Sequence, residues 1–163
     1  MRISILQTDI VWENKQENLR RLHEKLETLR GTTEIVVLPE TFSTGFSMNT
    51  ASLAEPTTGE TITTLRRWSE EYRLALAGSF IANETAPEGG KPSYYNRAFF
   101  LTPEGDAYYY DKRHLFRGTK QSISLPATNV PLSGIAAGTY CCLYVMIFAS
   151  RYGVATGTMN TTF

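Results

Sequence analysis

Glu34-Ile35-Val36-Val37-Leu38-Pro39-Glu40 is the stretch that sets the fold class. Ile35 to Leu38 is apolar without alternation, the pattern of a strand covered on both faces rather than one with a wet side. Pro39 cannot donate to a ladder, so it ends the strand and helps fix where Glu40 points.

On the N-terminal side, Arg2 to Thr8 is a short strand candidate. Asn14-Lys15-Gln16-Glu17 offers a capping box, an Asn cap with a Glu three residues on. Leu19, Leu22, Leu26 and Leu29 then recur on one helical face, and Gly31 stops the helix. On the C-terminal side, Thr57-Thr58-Gly59-Glu60 repeats the capping pattern before a second amphipathic helix carrying Ile62, Leu65, Trp68 and Tyr72. Leu74 to Ile81 is another buried strand. Tyr95 to Leu101 and Ala107 to Asp111 read as an antiparallel pair joined by the turn Thr102-Pro103-Glu104-Gly105-Asp106. Strand–helix–strand–helix–strand order predicts an α/β domain, a sheet with helices packed on it.

At 163 residues the chain is one domain or part of one. Its 16 Lys and Arg balance 16 Asp and Glu. No basic surplus therefore argues for nucleic acid or for an acidic membrane surface. The apolar run after Met1 is too short for a signal peptide, and no stretch is long enough to span a bilayer. A soluble cytoplasmic protein is the expectation. The two cysteines, Cys141 and Cys142, are adjacent, which is neither a disulfide framework nor a metal-ligand spacing.

The character of the sequence changes after Arg117. Residues 118–139 are rich in Ser, Thr, Pro and Ala with little periodicity; 140–148 are apolar; 150–163 are dominated by Gly, Thr, Ala and Asn. Two helices and a sheet have nothing here to complete their core.

Glu40 and Lys112 each follow a β-like run, and together they supply two of the three groups that cysteine-dependent amide hydrolysis needs. Such a reaction requires a nucleophile, a proton shuttle that can also protonate departing ammonia, and a positive group where the oxyanion develops. Glu40, partly desolvated past a buried strand, suits the shuttle, and Lys112 suits the oxyanion. Taken singly, each is also what an ordinary loop carboxylate or exposed lysine looks like. His114 could serve as a base or equally be a packed or surface histidine.

Leu38-Pro39-Glu40-Thr41-Phe42-Ser43-Thr44-Gly45-Phe46-Ser47 and Tyr110-Asp111-Lys112-Arg113-His114-Leu115-Phe116-Arg117 resemble the nitrilase (carbon–nitrogen hydrolase) superfamily, and are most similar to its ω-amidase branch. Ile3 to Asp9, Ala77-Gly78-Ser79-Phe80, Tyr95-Asn96-Arg97 and Pro103-Glu104-Gly105 support the match, which covers residues 1–117. The resemblance implies the N-terminal part of an αββα sandwich, without cofactor or metal. Glu40 would be general base and acid, and Lys112 the group that stabilises the tetrahedral intermediate. The substrate would be a small-molecule amide, a 2-oxo dicarboxylic acid monoamide, cleaved to acid and ammonia. A homo-oligomer is also implied, since the family often forms dimers.

Family members continue past the lysine segment with a second acidic residue and a strand ending in Cys-Tyr-Asp, followed by Leu-Arg-Phe-Pro, wording that residues 118–163 lack. Tyr140 to Gly153 can nonetheless be back-translated so that the adjacent reading frame spells Leu-Leu-Leu-Val-Cys-Tyr-Asp-Leu-Arg-Phe-Pro-Val-Trp. Residues 118–163 are therefore expected to be an out-of-frame tail, and the domain a truncated one. Cys142 is the nucleophile candidate such a tail offers. It precedes Leu143-Tyr144 inside an apolar run, where a thiol packs as a small inert hydrophobe. Two outcomes are expected to compete: a hydrolase of ω-amidase lineage without its thiolate, and a non-catalytic remnant that at most binds or oligomerises through an open sheet face.

Overall fold

The computed structural model describes residues 2–85 and 90–112. His114, Cys141, Cys142 and the boundary after Arg117 lie outside the described residues. The described elements are strand β1 (Ile3–Ile5), helix α1 (Lys15–Leu29), β2 (Ile35–Val37), the single-turn α2 (Thr50–Leu53), α3 (Glu60–Tyr72), β3 (Ala75–Glu84), β4 (Ser93–Leu101) and β5 (Ala107–Asp111). They form one five-stranded mixed sheet in the order β1-β2-β3-β4-β5. The first three strands are parallel and the last three antiparallel in sequence. No helix among the described residues is long and apolar enough to cross a membrane.

Both long helices cover the same face of the sheet. Leu19, Leu22 and Leu26 of α1 and Ile62, Leu65, Trp68 and Tyr72 of α3 share one buried cluster with Val36, Leu76, Phe80, Phe99 and Leu101. His23 ties the helices together: its ring stacks on Trp68 at 4.8 Å and meets the Tyr72 hydroxyl at 2.6 Å. The strand pleat sends Ile35, Val37, Ala75 and Ala77 to the opposite face, with Ile3, Ile5, Ala98 and Phe100 packed around them. This second face was expected to lie open, yet its four central residues are buried. Part of the reason is register: Ala77 sits between Val37 on one side and Phe100 on the other, so larger neighbours shield it.

The caps differ from the sequence expectation in instructive ways. Asn14 caps α1, its side chain accepting the Glu17 N–H at 3.1 Å. The reciprocal half of the capping box does not form, because the Glu17 carboxylate pairs with Arg20 at 2.8 Å and Arg21 at 2.7 Å. At α3 neither Thr57 nor Thr58 caps. Gly59 occupies the cap position without a side-chain bond, and Glu55 takes over from outside the helix. Its carboxylate accepts from Thr61 N at 2.9 Å and Thr61 Oγ1 at 2.7 Å, a negative group at the positive end of a helix. A one-turn helix such as α2 leaves no periodicity to read, and the sequence did not reveal it.

Candidate active site

Glu40 stands just past the end of β2 because Pro39 cannot continue the ladder. Leu38 N still bonds to Ala77 O at 2.7 Å, and the pairing stops there. The chain then folds into a tight turn, with Thr44 N and Gly45 N both donating to Thr41 O at 3.0 and 2.8 Å. Thr41 adopts φ +46°, a left-handed conformation that a β-branched residue takes only under constraint, at a cost of about 1–2 kcal/mol. The constraint is visible on three sides. Thr41 N donates to Ser79 Oγ at 2.9 Å, and Asn18 Nδ2 donates to Ser43 O at 2.8 Å. Phe42 is buried edge-on against Phe99, with centroids 6.1 Å apart. The residue after Glu40 is thus strained, and its surroundings hold it so.

Lys112 immediately follows β5, and its N–H donates to Asn96 O at 3.0 Å, one further rung beyond the strand. Since β5 and β3 both run antiparallel to β4, Glu40 and Lys112 leave the same end of the sheet. Arg97 locks that end. Its guanidinium donates to both oxygens of Asp111 (2.6 and 2.8 Å) and to Glu84 (2.6 Å), and it lies over the Tyr95 ring at 4.9 Å. These bonds outweigh burial and push the Arg97 pKa upward, with Asp111 the largest influence.

The side chains that sequence reading picked out separately meet here. Lys112 Nζ lies 2.6 Å from Glu40 Oε1, across 72 residues of chain. Asn96 Nδ2 donates to the same oxygen at 2.6 Å. Among the described residues no donor reaches Oε2, which leaves one carboxylate oxygen for a proton. The ion pair is partly open to water, with side-chain exposures of 40% for Lys112 and 27% for Glu40. Such a pair alone contributes about 0–1 kcal/mol. Chemically the arrangement offers a proton-accepting oxygen beside a positive charge, and among the described residues no group of His, Cys, Asp or Glu could hold a metal.

The described residues present a carboxylate and an ammonium held together at the end of a sheet, and comparison with known proteins identifies the setting. The carbon–nitrogen hydrolase family model matches residues 2–148. This chain belongs to that family. Its match continues past Arg117, through the stretch that contains Cys141 and Cys142. Omega-amidase YafV of Yersinia enterocolitica is 40% identical over 117 residues, covering 72% of this chain and 43% of that protein. The Escherichia coli K12 omega-amidase YafV is 34% identical over 131 residues, 79% of this chain and 47% of that one. A crystal structure of a CN-hydrolase superfamily protein from Xanthomonas campestris, which carries an arsenic adduct in its active site, superposes with a TM-score of 0.64 at 35% identity. It covers 72% of this chain and 42% of that one. A carbon–nitrogen hydrolase of Helicobacter pylori G27, at 18% identity and a TM-score of 0.60, shares the fold. The chain spans less than half the length of the curated relatives it matches.

Sequence reading did not assign roles to Asn96, Ser79 and Arg97, although all three stand in segments that resemble the family. A signal for Asn96 was present. The 102–106 turn fixes the β4–β5 register, Arg97 opposite Asp111, and the next rung brings Asn96 to Lys112.

Proposed function

We propose that Glu40 and Lys112 are the proton-transfer and oxyanion groups of an ω-amidase-type site acting on the terminal amide of a small 2-oxo dicarboxylic acid monoamide in the cytoplasm. The 2.6 Å contact between Glu40 Oε1 and Lys112 Nζ supports this reading. In the reaction a cysteine thiol loses its proton to Glu40 as its sulfur attacks the amide carbon. The oxyanion that develops is stabilised by the Lys112 ammonium. Glu40 returns the proton to the departing ammonia, leaving a thioester. Water, deprotonated by the same carboxylate, cleaves the thioester to the oxo acid and frees the thiol.

The nucleophile is the missing part. Cys142 precedes Leu143-Tyr144 rather than Tyr-Asp. Our reading is that residues 118–163 are out of frame and that the chain as written does not turn over. Ammonia release from 2-oxoglutaramate tests both halves of the proposal. The chain as written should give none, and a chain with the frame restored after Arg117 should be active. Glu40→Gln or Lys112→Ala in the restored chain should each lower kcat/KM by orders of magnitude. Retained activity in either variant removes that residue's role. Turnover by the unrestored chain that disappears with Cys142→Ala would make Cys142 the nucleophile.

A further inference from the structure

We propose that Asn96 is the positioning residue of this site, holding Glu40 and Lys112 in register with one another. The inference rests on the reading of Glu40 and Lys112 as the working pair. Asn96 is bonded to both partners through different atoms. Its side-chain Nδ2 donates to Glu40 Oε1 at 2.6 Å, and its carbonyl oxygen accepts from the Lys112 N–H at 3.0 Å. The lysine enters the site from the same residue that grips the carboxylate.

Several observations make this more than an incidental contact. An ion pair as open to water as Glu40 and Lys112 holds its geometry weakly, because both side chains remain free to rotate into solvent. Asn96, by contrast, sits within β4, paired with Ile81 of β3, beside the Arg97–Asp111 clamp. Its short side chain therefore has few alternatives. Both donors choose the same oxygen, so Oε1 is held from two sides, and among the described residues no donor reaches Oε2. An amide nitrogen suits the task, since it donates without carrying a charge that would compete with the lysine for the carboxylate. Pleat alternation puts Arg97 and Asp111 on the helix-covered face and Asn96 on the other, so the clamp and the positioning contact do not interfere.

Zero-length carbodiimide cross-linking of the full chain, read by peptide mass spectrometry, tests the role without any turnover. The unmodified chain should yield a Glu40–Lys112 isopeptide link, and a Lys15–Glu55 link from the 2.7 Å pair elsewhere in the molecule as an internal measure of folding. Asn96→Leu should reduce the Glu40–Lys112 link at least fivefold and leave Lys15–Glu55 unchanged. Asn96→His, which keeps a donor nitrogen at the same distance along the side chain, should restore it. Asn96→Asp, nearly identical in shape, covers the case in which leucine does not fold, and should divert Lys112 into a link with the carboxylate introduced at position 96. A Glu40–Lys112 link undiminished in the Leu or Asp variant overturns the proposal. So does equal loss in the Leu and His variants with Lys15–Glu55 intact, since bulk rather than donation would then matter. Absence of the link from the unmodified chain, with Lys15–Glu55 present, overturns the pair itself and the positioning role with it. Failure of the proposed activity alone would appear in ammonia release and leave these yields as they are.

Discussion

Arg97 grips Asp111 with two parallel bonds, Nε to Oδ1 at 2.6 Å and a second nitrogen to Oδ2 at 2.8 Å, one residue before Lys112. Both side chains are nearly buried, at 10% and 13% exposure. Removing one partner strands the other charge in a poorly solvated place. Arg97→Leu should therefore destabilise the fold by about 3 kcal/mol in urea unfolding. Arg97→Leu combined with Asp111→Leu should recover part of that loss. A single variant as stable as the unmodified chain would mean that water relieves Asp111.

Gly78 has no room for a methyl group. A Cβ built there would lie 2.7 Å from Phe99 Cζ and 3.1 Å from Leu38 Cβ, and Phe99 is locked in the core against Phe42 and Phe80. Gly78→Ala should cost about 1–3 kcal/mol by overpacking. Thermal unfolding measures it, and Gly78→Ala with Phe99→Leu should be less destabilised than the sum of the two single changes.

Ser79 is the acceptor for the N–H of Thr41, the strained residue beside Glu40, and both residues are buried. Ser79→Ala leaves that N–H without its partner, at about 1–3 kcal/mol. Amide exchange of Thr41 should accelerate more than that of the neighbouring β3 residues. Equal acceleration throughout β3 would indicate general loosening instead.

Acid should weaken the start of α3. Burial opposes ionisation of Glu55, but its bonds from Lys15 and Thr61 prevail and hold its pKa below the ordinary 4.5. A carboxylate depressed in the folded state contributes stability that is present above its unfolded value and is lost as pH falls through the folded one. Stability should therefore drop as pH is lowered below 4.5. Glu55→Gln should be less stable at neutral pH and show a flatter response to acid. Glu17, held to about 2 chiefly by its bond from Arg20 and then by Arg21, adds a dependence of the same sign that Glu55→Gln leaves in place.

The local signals carried much of the fold. Apolar spacing located α1 and α3, the unalternating run located β2, and the turn at 102–106 joined β4 to β5 within a residue or two of the observed bounds. Each depends on a period or a turn that a few neighbouring residues define. Capping was less legible, because the acceptor at α3 is Glu55, which lies outside the helix and is positioned through β3: Glu55 N bonds to Ile81 O at 3.1 Å and Asn83 N to Glu55 O at 3.0 Å.

By itself the sequence determined which residues end strands, and so that Glu40 and Lys112 are delivered from a sheet rather than from helices. Only the tertiary structure decided that they share one oxygen with Asn96, that Ser79 holds the turn after Glu40, and that Gly78 makes way for Phe99. The physical reason is range. Strand ends follow from backbone chemistry within a few residues, whereas the meeting of Asn96 with Glu40 across 56 residues depends on strand order, register and pleat together.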